Sequence, residues 1–331
     1  MSLSTFEEKL KEACECYSPN SISILLGNGF SQGWDKDIFN YKILKEKANF
    51  GDRYTIIDNI FTKFETFDFE KVMAALESAE KICSEYCVDK SIIDNIKEDQ
   101  EKLKNSLIDV ITRTHPPRSS SVTIDQFIKA RAFLAHFSNV FTLNYDLLLY
   151  WIINKIEVDT YEYRHSDGFY RDTWALEPNG TPNIFFLHGG LHLYNEGLFV
   201  KKHTYRNSND ISIIDQVRDN LEQGKFPLFV SEPTHQKKLQ RIENNLYLRH
   251  GYLKLAEIEE VLFIHGHSIA ENDRHIFDQI KKSTVLEKVF VGIFGDENSE
   301  ENRKSITNAN RFIQSQHISV EFYDAASAPI W

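Results

Sequence analysis

Four stretches of this 331-residue chain place chemistry-bearing side chains directly after short apolar runs: "LGNGFS" at Leu26 to Ser31, "FTLNYD" at Phe141 to Asp146, "FLHGG" at Phe186 to Gly190 and "FIHGHSIAENDRHI" at Phe263 to Ile276. An apolar run that breaks into Gly27, Asn28 and Gly29 implies that something lies against the backbone. Two glycines let a phosphate approach closely, and the amides that open a following helix, near Phe30 and Ser31, can meet its charge. Asn144 can hold a hydroxyl or a water, Asp146 can stabilise nearby positive charge, and His188 can take a proton near neutral pH.

Each of these residues also has a structural reading. Asn144 and Asp146 can cap the helix expected in "YDLLLYWIINKI", and His188 before two glycines can be an ordinary turn histidine. Asp68 and Glu70 in "TFDFEKVM" read as helix-start residues outside any site. His188 with His192, and His265 and His267 with Asp273 and His275, raise a metal hypothesis. That hypothesis is set aside because His192 follows two glycines and the second group straddles a loop, where Asn272 or Asp273 suits the cap of "NDRHIFDQI". No metal is expected.

The elements that must hold these residues follow from periodicity. "SISILLG" is short, β-branched and apolar on both faces, as in a strand covered on both sides of a parallel sheet. It is preceded by a helix in "STFEEKLKEACECY" with Ser4 as its N-cap. The same strand pattern returns in "NVFTLNYD", "VDTYEY", "NIFFLHGG", "FPLFVSE", "VLFIHGHS", "KVFVGIFGD" and "ISVEFYD". Helical stretches alternate with several of them, which predicts an α/β, Rossmann-like fold with a largely parallel sheet. Residues 39–138 read as a large helical insertion, and 191–255 as a lid or assembly segment ending in paired helices. In such sheets the ligand crevice lies beyond the carboxyl ends of the strands, so motifs far apart in sequence can meet there. Gly33 stands one position too late for the dinucleotide fingerprint of dehydrogenases, and no strand ending in an acid follows about twenty residues on, which disfavours hydride transfer.

Taken together and in this order, the four stretches resemble the sirtuin-like superfamily, and more closely its zinc-free bacterial branch linked to NAD hydrolysis and phage defence. The matching sirtuin elements are a Gly-Ala-Gly-x-Ser loop, a Thr-Gln-Asn-x-Asp strand end, a His-Gly and a later Gly-x-Ser loop. The resemblance implies that Gly27, Asn28, Gly29, Phe30 and Ser31 hold the diphosphate of a dinucleotide. It also implies that Thr142, Asn144 and Asp146 face the nicotinamide ribose, that His188 is the base, and that Gly266 and Ser268 lie near the adenosine half. The implied activity is cleavage of the nicotinamide–ribose bond of NAD, or of a related dinucleotide, to nicotinamide and ADP-ribose. The chain departs from sirtuins at Asn28 and Leu143, in the loop after the first glycines, and in lacking the zinc-ribbon cysteines, so protein deacetylation is not expected. The alternative from another class is a non-catalytic module that binds NAD or ADP-ribose and regulates a partner.

The bulk properties bound the remaining partners. A formal charge of −11 excludes general attraction to nucleic acid. The nearest basic cluster is Lys201, Lys202, His203 and Arg206. Cys14, Cys16, Cys83 and Cys87 lack zinc spacing and read as reduced thiols, the last two as packing neighbours on one helix face. There is no signal-peptide core and no apolar run near the roughly 20 residues of a membrane span. The expectation is a cytoplasmic protein, with a homo-oligomer or a regulatory protein as its macromolecular partner.

Overall fold

The computed structural model describes residues 3–36, 41–155, 158, 165–174, 181–204, 212–223 and 225–331. Most of the expected strand "VDTYEY" and Arg206 of the basic cluster lie outside them.

The chain opens with β1 (Ser4–Thr5) and α1 (Phe6–Cys16). The cap of α1 is Thr5 rather than Ser4. The Thr5 hydroxyl accepts the Glu8 amide while the Glu8 side chain accepts the Thr5 amide, a reciprocal box that Ser4, one residue earlier, cannot form. Then come β2 (Ile22–Leu26) and the short α2 (Asn28–Trp34). Every residue of β2 is buried, because both faces of its sheet are covered.

Four helices follow: α3 (Tyr41–Lys47), α4 (Tyr54–Lys63), α5 (Phe69–Glu85) and α6 (Lys90–Thr114). They gather a core of their own around Phe50, Ile57, Phe61, Phe69 and Leu103. By contrast, α7 (Ile124–Leu134) sends Phe127 and Phe133 into the main core beneath the sheet. Asp68 caps α5 as its position suggests, accepting the amides of Glu70 and Lys71. All four cysteines are free, and Cys14, Cys16 and Cys87 are exposed. Cys87 lies beyond the end of α5 at φ +51°, so the expected packing pair with Cys83 does not form.

The chain then forms β3 (Asn139–Thr142), α8 (Leu148–Asn154), β4 (Thr173–Trp174) and β5 (Ile184–Phe186). Next are β6 (Gly189–Glu196), β7 (Phe199–Lys202), α9 (Ile213–Glu222), β8 (Pro227–Phe229), α10 (His235–Glu243) and α11 (Leu246–Lys254). The last elements are β9 (Glu260–His265), α12 (Arg274–Ile280), β10 (Leu286–Ile293), α13 (Glu300–Phe312) and β11 (Ser319–Asp324). Seven strands make one sheet in the order β1-β11-β10-β9-β2-β3-β5, and every pairing in it is parallel.

Apart from the edge strand β1, this is the doubly wound, Rossmann-like order, with the strand order reversing between β2 and β9. Register then decides what meets at the carboxyl edge. Leu26 pairs with Thr142 and with His265, and Thr142 pairs with Phe186, so four strands end in one row. The residues that leave this row are the four motifs.

A second, antiparallel sheet has the order β4-β7-β6-β8. It contains the run "FPLFVSE", which pairs antiparallel with β6 rather than joining the parallel sheet. Gly189, at φ +77°, makes the bend into β6, where a Cβ would fall 1.9 Å from the Leu228 carbonyl oxygen. Only glycine fits. No helix among the described residues is long and apolar enough to cross a membrane.

Candidate functional site

At the reversal point the turn after β2 presses backbone to backbone on the loop after β9. The Gly27 amide donates to the His265 carbonyl at 2.9 Å, and the Gly29 amide to the Gly266 carbonyl at 2.7 Å. A Cβ on Gly27 would sit 2.6 Å from the Gly266 oxygen, and one on Gly266 (φ +70°) would sit 2.5 Å from the Phe30 nitrogen. What lies against the glycine turn is therefore another strand end of the same protein. The Phe30 amide turns back to the Gly27 carbonyl at 3.0 Å. The Phe30 ring is buried 5.2 Å from that of Trp331, whose indole donates to the Phe30 carbonyl. Asn28 is exposed.

Beside this crossing lies a buried knot of three side chains. Asn144 donates from Nδ2 to the Gly27 carbonyl and to the Ser31 hydroxyl, each at 3.0 Å. A carbonyl can only accept, so the atom facing Gly27 is the nitrogen, and Oδ1 is left for another partner. Ser31, fully buried, donates in turn to Asp146 at 2.5 Å. Asp146 also accepts the Leu148 amide at 2.8 Å, so it supports the start of α8 as well. Burial raises the Asp146 carboxyl above its ordinary range, and the Ser31 and Leu148 bonds oppose that rise. Asn144 does not cap the helix. Its own amide is fixed by the Thr142 hydroxyl at 3.1 Å. The loop after α6 adds His115, which accepts the Leu147 amide on Nε2 and faces the Pro116 carbonyl with Nδ1. This ring is therefore neutral, and burial holds it down to about 4.

His188 leaves β5 one strand away, at the level of Asn144. Its carbonyl accepts the Val230 amide, while the preceding Leu187 amide donates to the Thr142 carbonyl. Its ring lies 6.5 Å from that of Tyr145 on one side and 5.5 Å from that of His275 on the other. Its Nε2 is 3.3 Å from Nε2 of His275 and 4.0 Å from Oδ1 of Asp273. Asp273 does not cap α12 with its side chain. Instead it accepts Lys238 on Oδ1 at 2.9 Å and faces Nε2 of His267 with Oδ2 at 3.2 Å. Lys238, buried to 2% exposure, also meets Glu70 from α5 at 2.9 Å, and Asn272 donates to the same Glu70 oxygen.

One ammonium thus stands between two buried carboxylates. Burial raises Asp273, but Lys238 and the His267 bond pull it well below the usual range. Burial raises Glu70 more than Lys238 lowers it, to about 7. Burial lowers the ammonium of Lys238, and the two acids more than reverse this. The cluster is closest to neutral when Glu70 holds a proton, which is the physical reason the two acids part. Burial also pushes His188 well below the imidazole range and His275 to about 3.

The structure brings Gly27, Ser31, Thr142, Asn144, Asp146, His188, Gly266 and His267 to one edge of the sheet. His267 links the two polar groups, since a Cβ on Gly27 would lie 2.7 Å from His267 Cβ. Ser268 is exposed, and its carbonyl accepts the Ser305 hydroxyl. His192 diverges from His188 into an aromatic pocket, 4.4 Å from Tyr150 and 4.5 Å from Phe186. His265 turns to the Tyr323 hydroxyl at 3.0 Å, away from His267. Both histidine groupings raised for a metal are therefore split. Among the described residues no group of three or more such ligands is placed to hold an ion.

The basic stretch is ion-paired: Lys201 meets Glu196 at 2.7 Å and Lys202 meets Asp167. Sequence reasoning passed over Glu70, Lys238 and His115 as site residues and gave Asp273 a capping role. The family model described as "Domain of unknown function (DUF4917)" matches residues 24–331. A search of curated proteins finds no match.

Proposed function

We propose that this chain, which belongs to the DUF4917 family, is a sirtuin-like NAD hydrolase that releases nicotinamide and ADP-ribose. The observation that carries the reading is the common level at which Asn144 and His188 leave neighbouring strands, beside the switch in strand order at Gly27. Cleaving the nicotinamide–ribose bond develops an oxocarbenium-like sugar, so the site must orient ribose hydroxyls and stabilise positive charge. Asn144 Oδ1 is the atom suited to a ribose hydroxyl or the attacking water, because both amide hydrogens are engaged. Asp146 supplies negative charge and, through Ser31, holds Asn144 in place. His188, kept neutral by burial, accepts a proton from the hydroxyl or water. Nicotinamide leaves as a neutral molecule and needs no strong acid.

Asn28, exposed at the start of α2, is the residue of the turn that a diphosphate would meet from solvent. A part in antiphage defence is the role that depletion of NAD would serve, and the segment 191–255 offers an assembly or regulatory surface for it. The test is incubation of purified protein with NAD and chromatographic separation of products. Nicotinamide release is expected, and Asn144→Ala and His188→Ala are each expected to abolish it with the fold intact. Tight NAD binding without turnover would instead assign a regulatory binding module.

A further inference from the structure

We propose that Asp273 is a positioning residue for His188: acting across the contact with His275, it keeps a proton on His188 Nε2 and leaves Nδ1 as the basic nitrogen. This rests on the reading of His188 as the base. The ring nitrogens of His188 and His275 are 3.3 Å apart, the centroids 5.5 Å apart and the planes 11° apart. That centroid separation is close to the largest such a nitrogen contact allows, so centroids and nitrogens lie nearly on one line. This is an in-plane hydrogen bond between ring edges rather than a stack of faces. One proton must sit between the two nitrogens, since two lone pairs or two N–H groups would repel.

The surroundings select its owner. His267 accepts the Ile269 amide on Nδ1, so its proton is on Nε2 and points at Asp273 Oδ2. Asp273 is thereby fixed with Oδ1 at 4.0 Å from His188 Nε2, and no ion pair of that length joins it to His275. The carboxylate outweighs the Lys238 ammonium at both rings, and of the two it is His188 Nε2 that lies within 4.0 Å of it. A hydrogen on His188 Nε2 is therefore favoured over one on His275 Nε2. Among the described residues no hydrogen bond reaches His188 Nδ1.

In hydrolysis, Nδ1 takes the proton of the attacking water as the water oxygen bonds to the anomeric carbon. The carbon–nitrogen bond breaks with its electron pair on nicotinamide, and the imidazolium formed faces Asp273.

The experiment is nitrogen NMR of the full chain labelled at histidine, with His188 assigned by its loss in His188→Gln, alongside steady-state kinetics. In the wild type, Nδ1 of His188 is expected to be of the unprotonated type and Nε2 protonated. Asp273→Asn is expected to shift the ring toward the Nδ1–H form and to lower kcat at least about tenfold with little change in KM. Should that variant fail to fold, the pair His275→Gln and His275→Phe carries the test. The carbonyl oxygen of glutamine still accepts from Nε2 and should preserve both tautomer and kcat, whereas phenylalanine should lose both. A wild-type His188 protonated on Nδ1, or variants that leave the tautomer unmoved, overturns the proposal. If NAD is not cleaved yet the tautomer behaves as expected, the hydrolase reading fails and the positioning stands.

Discussion

Lys238→Met removes the one cation shared by two buried acids while keeping most of the side-chain volume. Deleting one partner of a buried ion pair costs about 3–5 kcal/mol, because the other charge stays behind in a low dielectric. With an unfolding entropy of ~2.1 cal/mol/K per residue, a chain of this length should lose about 4–7 °C in Tm. The neighbouring Lys237→Met is the control. Its ammonium meets Glu77 at a site about a third exposed, so it should shift Tm by no more than ~1 °C.

The pH dependence carries a sign that the Tm alone does not. In the wild type Asp273 is depressed, so it contributes stability above the ordinary carboxylate range and loses it as pH falls. Glu70 is raised from 4.5 to about 7, so its contribution is present at low pH and is lost as pH rises through about 7. Without Lys238 the main force opposing burial is gone at both acids, and the variant should regain stability on acidification. The deficit should thus be larger at pH 8 than at pH 5, as followed by circular dichroism melts. A Tm within about 1 °C of wild type, or a deficit that grows on acidification, refutes the account of the cluster.

Two further outcomes follow from the site. Gly266→Ala puts a Cβ 2.5 Å from the Phe30 nitrogen at φ +70° and should cost at least about 2 kcal/mol in denaturant unfolding. Gly295→Ala, at φ +78° but in open space, should cost only about 1 kcal/mol, and equal losses would deny the crossing its role. For the proposed hydrolysis, His188 is held below the imidazole value of 6.5, so the base form should persist into mildly acidic solution. The acid limb of kcat/KM should then fall below 6.5, and a limb at or above it would remove His188 as the base.

Much of the fold could be read from the chain because its parallel strands are covered on both faces. β2, β3, β5, β9 and β10 all stand out as apolar runs that lead into glycine, asparagine or histidine. Asp68 marks a helix start by its own local chemistry, an acid ahead of the first turn of α5. β8 was legible as a strand but not as part of an antiparallel sheet, since a short apolar run carries no sign of its partner's direction. The glycines at 27 and 29 were legible as a place of close approach, but not what approaches. Gly266, more than two hundred residues later, is joined to them only by the strand order.

The buried cluster was illegible for a deeper reason. Glu70 stands in the first turn of a helix, where acids are common, and Lys238 stands in the charged run "HQKKLQ" that any solvated helix could carry. Nothing local distinguishes Lys238 from Lys237, although one is buried between acids and the other is at the surface. The difference arises because α5, which belongs to the helical insertion, brings Glu70 against α10 and the loop after β9. This makes the insertion part of the site's electrostatics rather than an appendage. Removing it would expose or unbalance Lys238, free Asp273 from its fixed position, and so reach His188 without touching any of the strands that carry the motifs.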